Sequence, residues 1–189
     1  MRDVNHDFSK RFVILDRDGV LNEDSDAYIK SVEEWIPIEG SLAAVARLNR
    51  AGVKVAVATN QSGLARGLFT QRDLDAMHKR LRRLLAEEGG WLDALEYCPH
   101  GPDDACDCRK PRAGLLRRIG ALLRRNPTDA IVIGDSLRDL QAAETVNAQP
   151  VLVRTGKGRR TEAEGNLPPD ARVYDTLADA VDAILREAM

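Results

Sequence analysis

The sequence predicts an α/β fold in which a doubly wound, mainly parallel sheet lies between two layers of helices. Six short apolar runs, rich in Val and Ile, alternate with amphipathic helical patterns along the 189 residues. Most of these runs do not alternate between polar and apolar residues, which is typical of strands covered on both faces. The order strand, helix, strand, helix favours right-handed crossovers between parallel strands, and therefore a three-layer, Rossmann-like core.

The predicted strands are apolar runs of four to six residues. In chain order, with the last residue of each, they are RFVIL (Leu15), VKVAVA (Ala58), ALEYC (Cys98), AIVIG (Gly134), PVLV (Val153) and the weaker ARVY (Tyr174).

The predicted helices lie between these runs. The first follows Ser41 and stops at Gly52, and the second begins at Thr70, with Asp73 in a capping-box position, and extends to about residue 88. The third covers about residues 114–124, the fourth follows Ser136, and the last covers about 177–188.

Composition limits the classes of function. The net charge of −2 does not favour nucleic-acid binding through bulk charge. No apolar run is long enough to cross a membrane, and the start lacks the apolar core of a signal peptide, so we expect a cytoplasmic protein. We also expect one domain over residues 1–189, a monomeric state, a small-molecule ligand, and no nucleic-acid or membrane partner.

Polar residues follow three of the predicted strands. Asp16 and Asp18 follow the first, Thr59 follows the second, and Asp135 follows the fourth. A single D-x-D pattern is more typical of an ordinary turn. Together, however, these residues would converge at one edge of a parallel sheet, where such sheets place their ligands. A cluster of carboxylates there fits Mg²⁺, which prefers oxygen ligands and would offset the repulsion between the aspartates.

The same edge carries groups suited to a phosphoryl group. Thr59 offers a hydroxyl, the turn from Asn60 to Gly63 offers backbone N–H groups, and Lys110 adds a positive charge. Taken alone, Lys110 would be interpreted as a solvated surface lysine.

The segment 98–108 predicts a second metal site. Cys98, His100, Cys106 and Cys108 offer four ligands within eleven residues, a set that suits tetrahedral Zn²⁺. Four protein ligands leave no open position, so this zinc would be structural and would fix where the following cations point. The alternatives are unrelated free thiols, or a nucleic-acid-binding zinc module, which the acidic loop without aromatic residues disfavours.

The motifs DRDGVLN, ATNQSG, CRKP and GDSLRD, in this order, resemble the four motifs of the haloacid dehalogenase (HAD) superfamily of phosphatases, over about residues 12–157. The resemblance implies that Asp16 attacks phosphorus and becomes an aspartyl phosphate, and that Asp18 acts as general acid and base. It also implies that Thr59 and Lys110 hold the phosphoryl oxygens. Asp16, the backbone carbonyl of Asp18, and Asp135 would bind Mg²⁺. Asp139, in the last motif, would orient Lys110 or a metal-bound water.

The resemblance implies a phosphoric monoester hydrolase acting on a sugar phosphate. The implied reaction removes the 7-phosphate of heptose 1,7-bisphosphate, on the way to the nucleotide-activated heptose used in surface lipopolysaccharide. Histidinol phosphate is the alternative substrate, and a non-catalytic module that binds a phospho-ligand is the alternative class.

Neither interval between motifs has room for a large cap domain. Substrate contacts are expected from Asn60, Gln61, Ser62, Arg66 and Arg109, with Arg154 and Lys157 as further candidates for a second phosphate.

Overall fold

The structure is a computed structural model, and it describes residues 10–187. Within this range, six strands form one parallel sheet in the order β3-β2-β1-β4-β5-β6. Their bounds are β1 (Phe12–Leu15), β2 (Lys54–Asn60), β3 (Ala94–Cys98), β4 (Ala130–Gly134), β5 (Gln149–Val153) and β6 (Arg172–Tyr174). All six predicted strands are therefore confirmed.

Six α-helices of the described chain cover the two faces of the sheet. Their bounds are α1 (Ser41–Arg50), α2 (Gln71–Glu87), α3 (Gly114–Leu123), α4 (Leu137–Thr145), α5 (Gly158–Glu164) and α6 (Leu177–Arg186). The capping box of Thr70 and Asp73 forms as predicted at the start of α2. The sequence did not predict α5, because its segment GRRTEAE is short and lacks an apolar face.

The core consists of two apolar layers, one on each side of the sheet. Successive residues of β1 alternate between them: Val13 and Leu15 pack with α1, α2 and α6, whereas Phe12 and Ile14 pack with α3 and α4. Because both faces of the central strands are buried, those strands are apolar throughout, as the sequence indicated.

The strand order sets the position of the site. β1 pairs with β2 on one side and with β4 on the other, both in parallel. The carboxyl ends of these three strands therefore lie side by side. β2 continues two residues beyond the predicted end at Ala58, so Thr59 and Asn60 belong to the strand itself.

Among the described residues, no helix is long and apolar enough to cross a membrane.

Candidate functional site

A cavity of about 380 Å³ opens at the carboxyl edge of the sheet, over β1, β2 and β4. The sequence analysis proposed residues for catalysis, magnesium binding and substrate contact at this edge, and all of them line the cavity except Arg154 and Gly63, the last residue of the turn after β2. These lining residues are Asp16, Asp18, Thr59, Asn60, Gln61, Ser62, Arg66, Arg109, Lys110, Asp135, Asp139 and Lys157. The tertiary structure thus brings residues from four separate motifs into one site.

Three carboxylates crowd together in this cavity. Ligand oxygens of Asp16, Asp135 and Asp139 lie within 4.8 Å of one another. The sequence analysis expected the Asp18 carboxylate in this cluster. That carboxylate lines the cavity but stands outside the group, whereas the implied magnesium ligand from Asp18 is its backbone carbonyl. Hard oxygen ligands at this spacing fit a small divalent cation such as Mg²⁺.

The electrostatics of the cluster also indicate a cation site. Burial and the charges of Asp16 and Asp139 raise the pKa of Asp135 to about 8. Burial likewise raises the pKa of Asp16 to about 6, although Lys110 opposes the shift. Burial and the proximity of like charges thus disfavour ionisation of these carboxyl groups, and a divalent cation among them would oppose that effect.

Lys110 is buried beside these carboxylates rather than solvated. Its ammonium lies 2.9 Å from Asp16 Oδ1 and 2.6 Å from Asp139 Oδ1, and it donates to the Ala58 carbonyl at 2.7 Å. Burial opposes the charged form, but Asp139 and Asp16 outweigh it and hold the pKa of Lys110 above its ordinary value. Lys110 is therefore a fixed cation beside Asp16.

Asp139 has two functions in the local structure. At the start of α4, its Oδ2 accepts hydrogen bonds from the N–H and the hydroxyl of Ser136, as in a capping box. Its Oδ1 is turned towards Lys110 instead. A side chain on the N-terminal turn of one helix thus orients the cation of a distant loop.

Asp18 lies in a shell of hydrogen-bond donors. Arg17 contacts it through Nε and Nη2, Asn22 Nδ2 donates to Oδ1 at 2.8 Å, and Gln61 Nε2 donates to Oδ2 at 2.9 Å. Burial alone would raise the pKa of Asp18, but the charge of Arg17 and these hydrogen bonds outweigh it and lower the pKa. The sequence analysis missed Arg17 and Asn22, because a motif does not show which way its side chains point.

Asn60, at the end of β2, and Gln61, which follows it, form hydrogen bonds within the protein. Asn60 exchanges two hydrogen bonds with the backbone of Lys110, at 3.1 and 3.0 Å. Gln61 donates to Thr59 Oγ1 at 2.9 Å as well as to Asp18, and its backbone N–H donates to the Cys98 carbonyl. Asn60 and Gln61 therefore hold neighbouring site residues in place, and the N–H of Gln61 is already engaged rather than offered to a ligand.

Two glycines allow the strand ends to approach closely. A Cβ at Gly19, which has φ +85°, would lie 2.0 Å from Asp135 Oδ2, and a Cβ at Gly134 would lie 2.3 Å from the Asp139 side chain. Any side chain at either position would displace a carboxylate of the cluster.

The four predicted zinc ligands meet at one point. Their ligand atoms lie within 4.8 Å of one another, and the cysteines are free of disulfides. The Sγ atom of Cys98 lies 3.2 Å from that of Cys108 and 3.8 Å from that of Cys106, and His100 Nδ1 lies 3.3 Å from Cys108 Sγ. A zinc tetrahedron with Zn–S bonds of ~2.3 Å has S···S edges of roughly 3.8 Å, so this set fits zinc.

Further cations surround the mouth of the cavity. Arg66, Arg109, Arg138 and Lys157 all line it, and Arg138 was not singled out from the sequence. Arg154 is instead held in ion pairs with Glu162 and Asp175. Lys157 is also paired, with Asp24 at 2.9 Å, but it lines the cavity, whereas Arg154 does not.

Comparison with known proteins places this geometry in a family. Residues 107–180 match the HAD-hydrolase-like family model. A Pseudomonas aeruginosa protein named D-glycero-beta-D-manno-heptose-1,7-bisphosphate 7-phosphatase is 54% identical over 94% of this chain and 99% of its own length. A Pseudomonas putida protein of the same name is 55% identical over 94% of this chain and 98% of its own.

A solved structure agrees with these relatives. It is the D,D-heptose 1,7-bisphosphate phosphatase of B. bronchiseptica complexed with magnesium and phosphate. It is 51% identical, covers 94% of this chain and 99% of its own, and superposes with a TM-score of 0.91. The chain therefore belongs to the D-glycero-beta-D-manno-heptose-1,7-bisphosphate 7-phosphatase family of HAD-like hydrolases.

Proposed function

We propose that this protein is a magnesium-dependent phosphatase that removes the 7-phosphate of D-glycero-β-D-manno-heptose 1,7-bisphosphate. The observation that carries the proposal is the cluster of Asp16, Asp135 and Asp139 with the buried Lys110, in a chain 54% identical to a phosphatase of that name. The β anomer follows from the names of these relatives. The product would serve the assembly of nucleotide-activated heptose for lipopolysaccharide.

Asp16 is the proposed nucleophile. Its Oδ1 accepts the Arg17 N–H at 2.8 Å and pairs with Lys110, so the carboxylate is held in one orientation. Attack by Asp16 on phosphorus forms an aspartyl phosphate, and water then hydrolyses this intermediate. The covalent route divides one difficult step into two easier ones.

Asp18 is the proposed general acid and base. A sugar alkoxide is a poor leaving group, and its protonation during departure typically contributes ~10²–10⁴-fold to the rate. In the second half of the reaction, Asp18 takes a proton from the attacking water. Its contacts with Arg17, Asn22 and Gln61 hold the carboxylate at the cavity wall.

Thr59 and Lys110 are proposed to bind the phosphoryl oxygens, since both are buried and line the cavity beside Asp16. Asp16, Asp135 and the backbone carbonyl of Asp18 would hold magnesium, with Asp139 adjoining them. When bound, magnesium supplies positive charge that offsets the charge of the phosphoryl group.

Zinc is proposed for the loop 98–108, where it would be structural. The loop is connected directly to the site: Arg109 donates to the His100 carbonyl, and the Cys98 carbonyl accepts the Gln61 N–H. Fixing this loop would fix the adjoining Lys110.

Arg66 and Arg109 are proposed to contact the second phosphate of the substrate, together with other cations at the cavity mouth. A guanidinium can bind a phosphate through two parallel hydrogen bonds.

A cytoplasmic location, a monomeric state and a single domain over the whole chain remain predictions from the sequence.

The test is phosphate release from four substrates, with and without Mg²⁺: the β and α anomers of heptose 1,7-bisphosphate, histidinol phosphate and a simple sugar monophosphate. We expect the highest kcat/KM for the β bisphosphate, with phosphorus NMR showing that the 7-phosphate is lost and the 1-phosphate kept. A higher kcat/KM for histidinol phosphate would overturn the substrate assignment. No Mg²⁺-dependent release from any of them would overturn the phosphatase assignment.

A further inference from the structure

Arg17 is a buried charged residue to which the proposed mechanism assigns no chemical step. Its side chain is completely buried, although arginine is seldom buried without a specific partner. It follows the nucleophile directly and precedes the general acid. Within residues 10–187, the guanidinium of Arg17 contacts the carboxylate of Asp18 and no other carboxylate, that of Asp16 included.

The two oxygens of Asp18 accept hydrogen bonds from several side chains. Oδ1 accepts from Arg17 Nη2 at 2.8 Å, from Arg17 Nε at 3.1 Å and from Asn22 Nδ2 at 2.8 Å. Oδ2 accepts from Gln61 Nε2 at 2.9 Å and from Arg17 Nη2 at 3.1 Å. Both oxygens of Asp18 are therefore held by donors, and Arg17 contacts each of them.

The remaining side of the guanidinium contacts a histidine from another element. Nε2 of His78, on α2, lies 3.4 Å from Arg17 Nη1, and the His78 ring is buried against Tyr97. A guanidinium carries only donors, so Nε2 must be the acceptor and the imidazole must be neutral with its proton on Nδ1. Burial, together with the charge of Arg17, lowers the pKa of His78 to about 4, in agreement with this form.

We propose that Arg17, whose far side contacts His78, is a positioning residue that fixes the orientation in which the Asp18 carboxyl group exchanges the catalytic proton. The inference rests on the proposed function and deepens it. The proton of the Asp18 carboxyl group passes to the leaving oxygen as its bond to phosphorus breaks and the Asp16–phosphorus bond forms. It is regained from water as the water oxygen bonds to phosphorus and the Asp16–phosphorus bond breaks.

The test compares an alkyl with an aryl phosphate. A sugar alkoxide needs a proton to depart, whereas p-nitrophenolate departs without one. Because kcat/KM reports the steps up to formation of the aspartyl phosphate, a defect in proton donation lowers it selectively for the alkyl substrate. The alkyl substrate is whichever one wild-type protein hydrolyses fastest, so the comparison does not depend on which sugar phosphate is the natural one.

For Arg17→Gln, we expect kcat/KM for the alkyl phosphate to fall by on the order of 10²-fold, and that for p-nitrophenyl phosphate by less than about fivefold. Arg17→Lys keeps the charge but not the two-nitrogen contact, so it should show the same selective loss. Arg83→Gln removes a surface arginine paired with Glu87 and should change neither value.

His78→Leu removes the contact between His78 and Arg17 but leaves the contacts of Asp18 intact. This variant tests the positioning role if the Arg17 variants do not fold. We expect the same selective loss for this variant, of roughly three- to tenfold. Equal losses on both substrates, no loss on either, or full activity in Arg17→Lys would overturn the positioning role. Failure of wild-type protein to hydrolyse any phosphate ester would instead overturn the proposed function.

Discussion

Asp139 and Lys110 form a buried ion pair, with Asp139 Oδ1 2.6 Å from the Lys110 ammonium. Asp139 lies on the first turn of α4, whereas Lys110 lies in the loop between β3 and α3, and both side chains are almost completely inaccessible to solvent. Burial of an isolated lysine would favour its neutral form, so Lys110 remains a cation because Asp139 and Asp16 surround it. The pair therefore fixes both the charge and the position of the group proposed to bind phosphate.

Asp139→Asn should lower kcat/KM for the sugar phosphate by roughly 10- to 100-fold, because Lys110 loses a charged partner that orients it. Steady-state phosphate release measures the effect. The matched control is Asp179→Asn, since Asp179 holds the same capping-box position on α6 and does not line the cavity. If the two variants lose activity equally, Asp139 acts only through its helix.

Asp16→Asn should abolish phosphate release while the protein keeps its fold. The amide cannot serve as the nucleophile, whereas its loss of charge relieves repulsion among three crowded carboxyl groups. In metal-free buffer we therefore expect a thermal midpoint at or above that of wild type. Circular dichroism and phosphate release test the two parts. Measurable turnover by a variant whose measured mass confirms the substitution would contradict the covalent route.

Magnesium affinity should rise with pH between about pH 6 and pH 8. In metal-free protein the pKa of Asp16 lies at about 6 and that of Asp135 at about 8. Below these values the carboxyl groups hold protons, which a cation must displace, so affinity falls as pH falls. Calorimetric titration of Mg²⁺ in buffers with different ionisation enthalpies should show proton release near pH 7. Binding with no proton release and no pH dependence would show that the carboxyl groups are already ionised.

Native protein should contain about one zinc per chain, and Cys108→Ser should lose it. Without the metal, the loop 98–108 no longer holds the adjoining Lys110 in place. We expect a lower thermal midpoint and a fall in kcat/KM of roughly tenfold or more. Elemental analysis, thermal unfolding and phosphate release measure these effects.

Asp103→Asn is the matched control for the loop, because it removes a side chain that is exposed and not one of the four ligand residues. We expect this variant to keep its zinc, its thermal midpoint and its activity. If Cys108→Ser keeps full activity after losing zinc, the loop does not position Lys110.

The sequence alone predicted the local elements and the kinds of chemistry. Apolar runs such as the one that forms β4 are local signals, and they predicted every strand of the described sheet. The ligand spacing from Cys98 to Cys108 is also local, and it predicted the cluster that the fold assembles. The segment of α5 was missed because it carries no apolar periodicity.

Only the tertiary structure decided which side chains meet. Strand order places β1 between β2 and β4, and this brings Asp139 rather than the Asp18 carboxylate into the acidic cluster. It also places Arg17 against His78, 61 residues further along the chain. Such pairings depend on strand order and on the direction of each side chain. These are set by burial across the whole sheet, so no local pattern in the sequence encodes them.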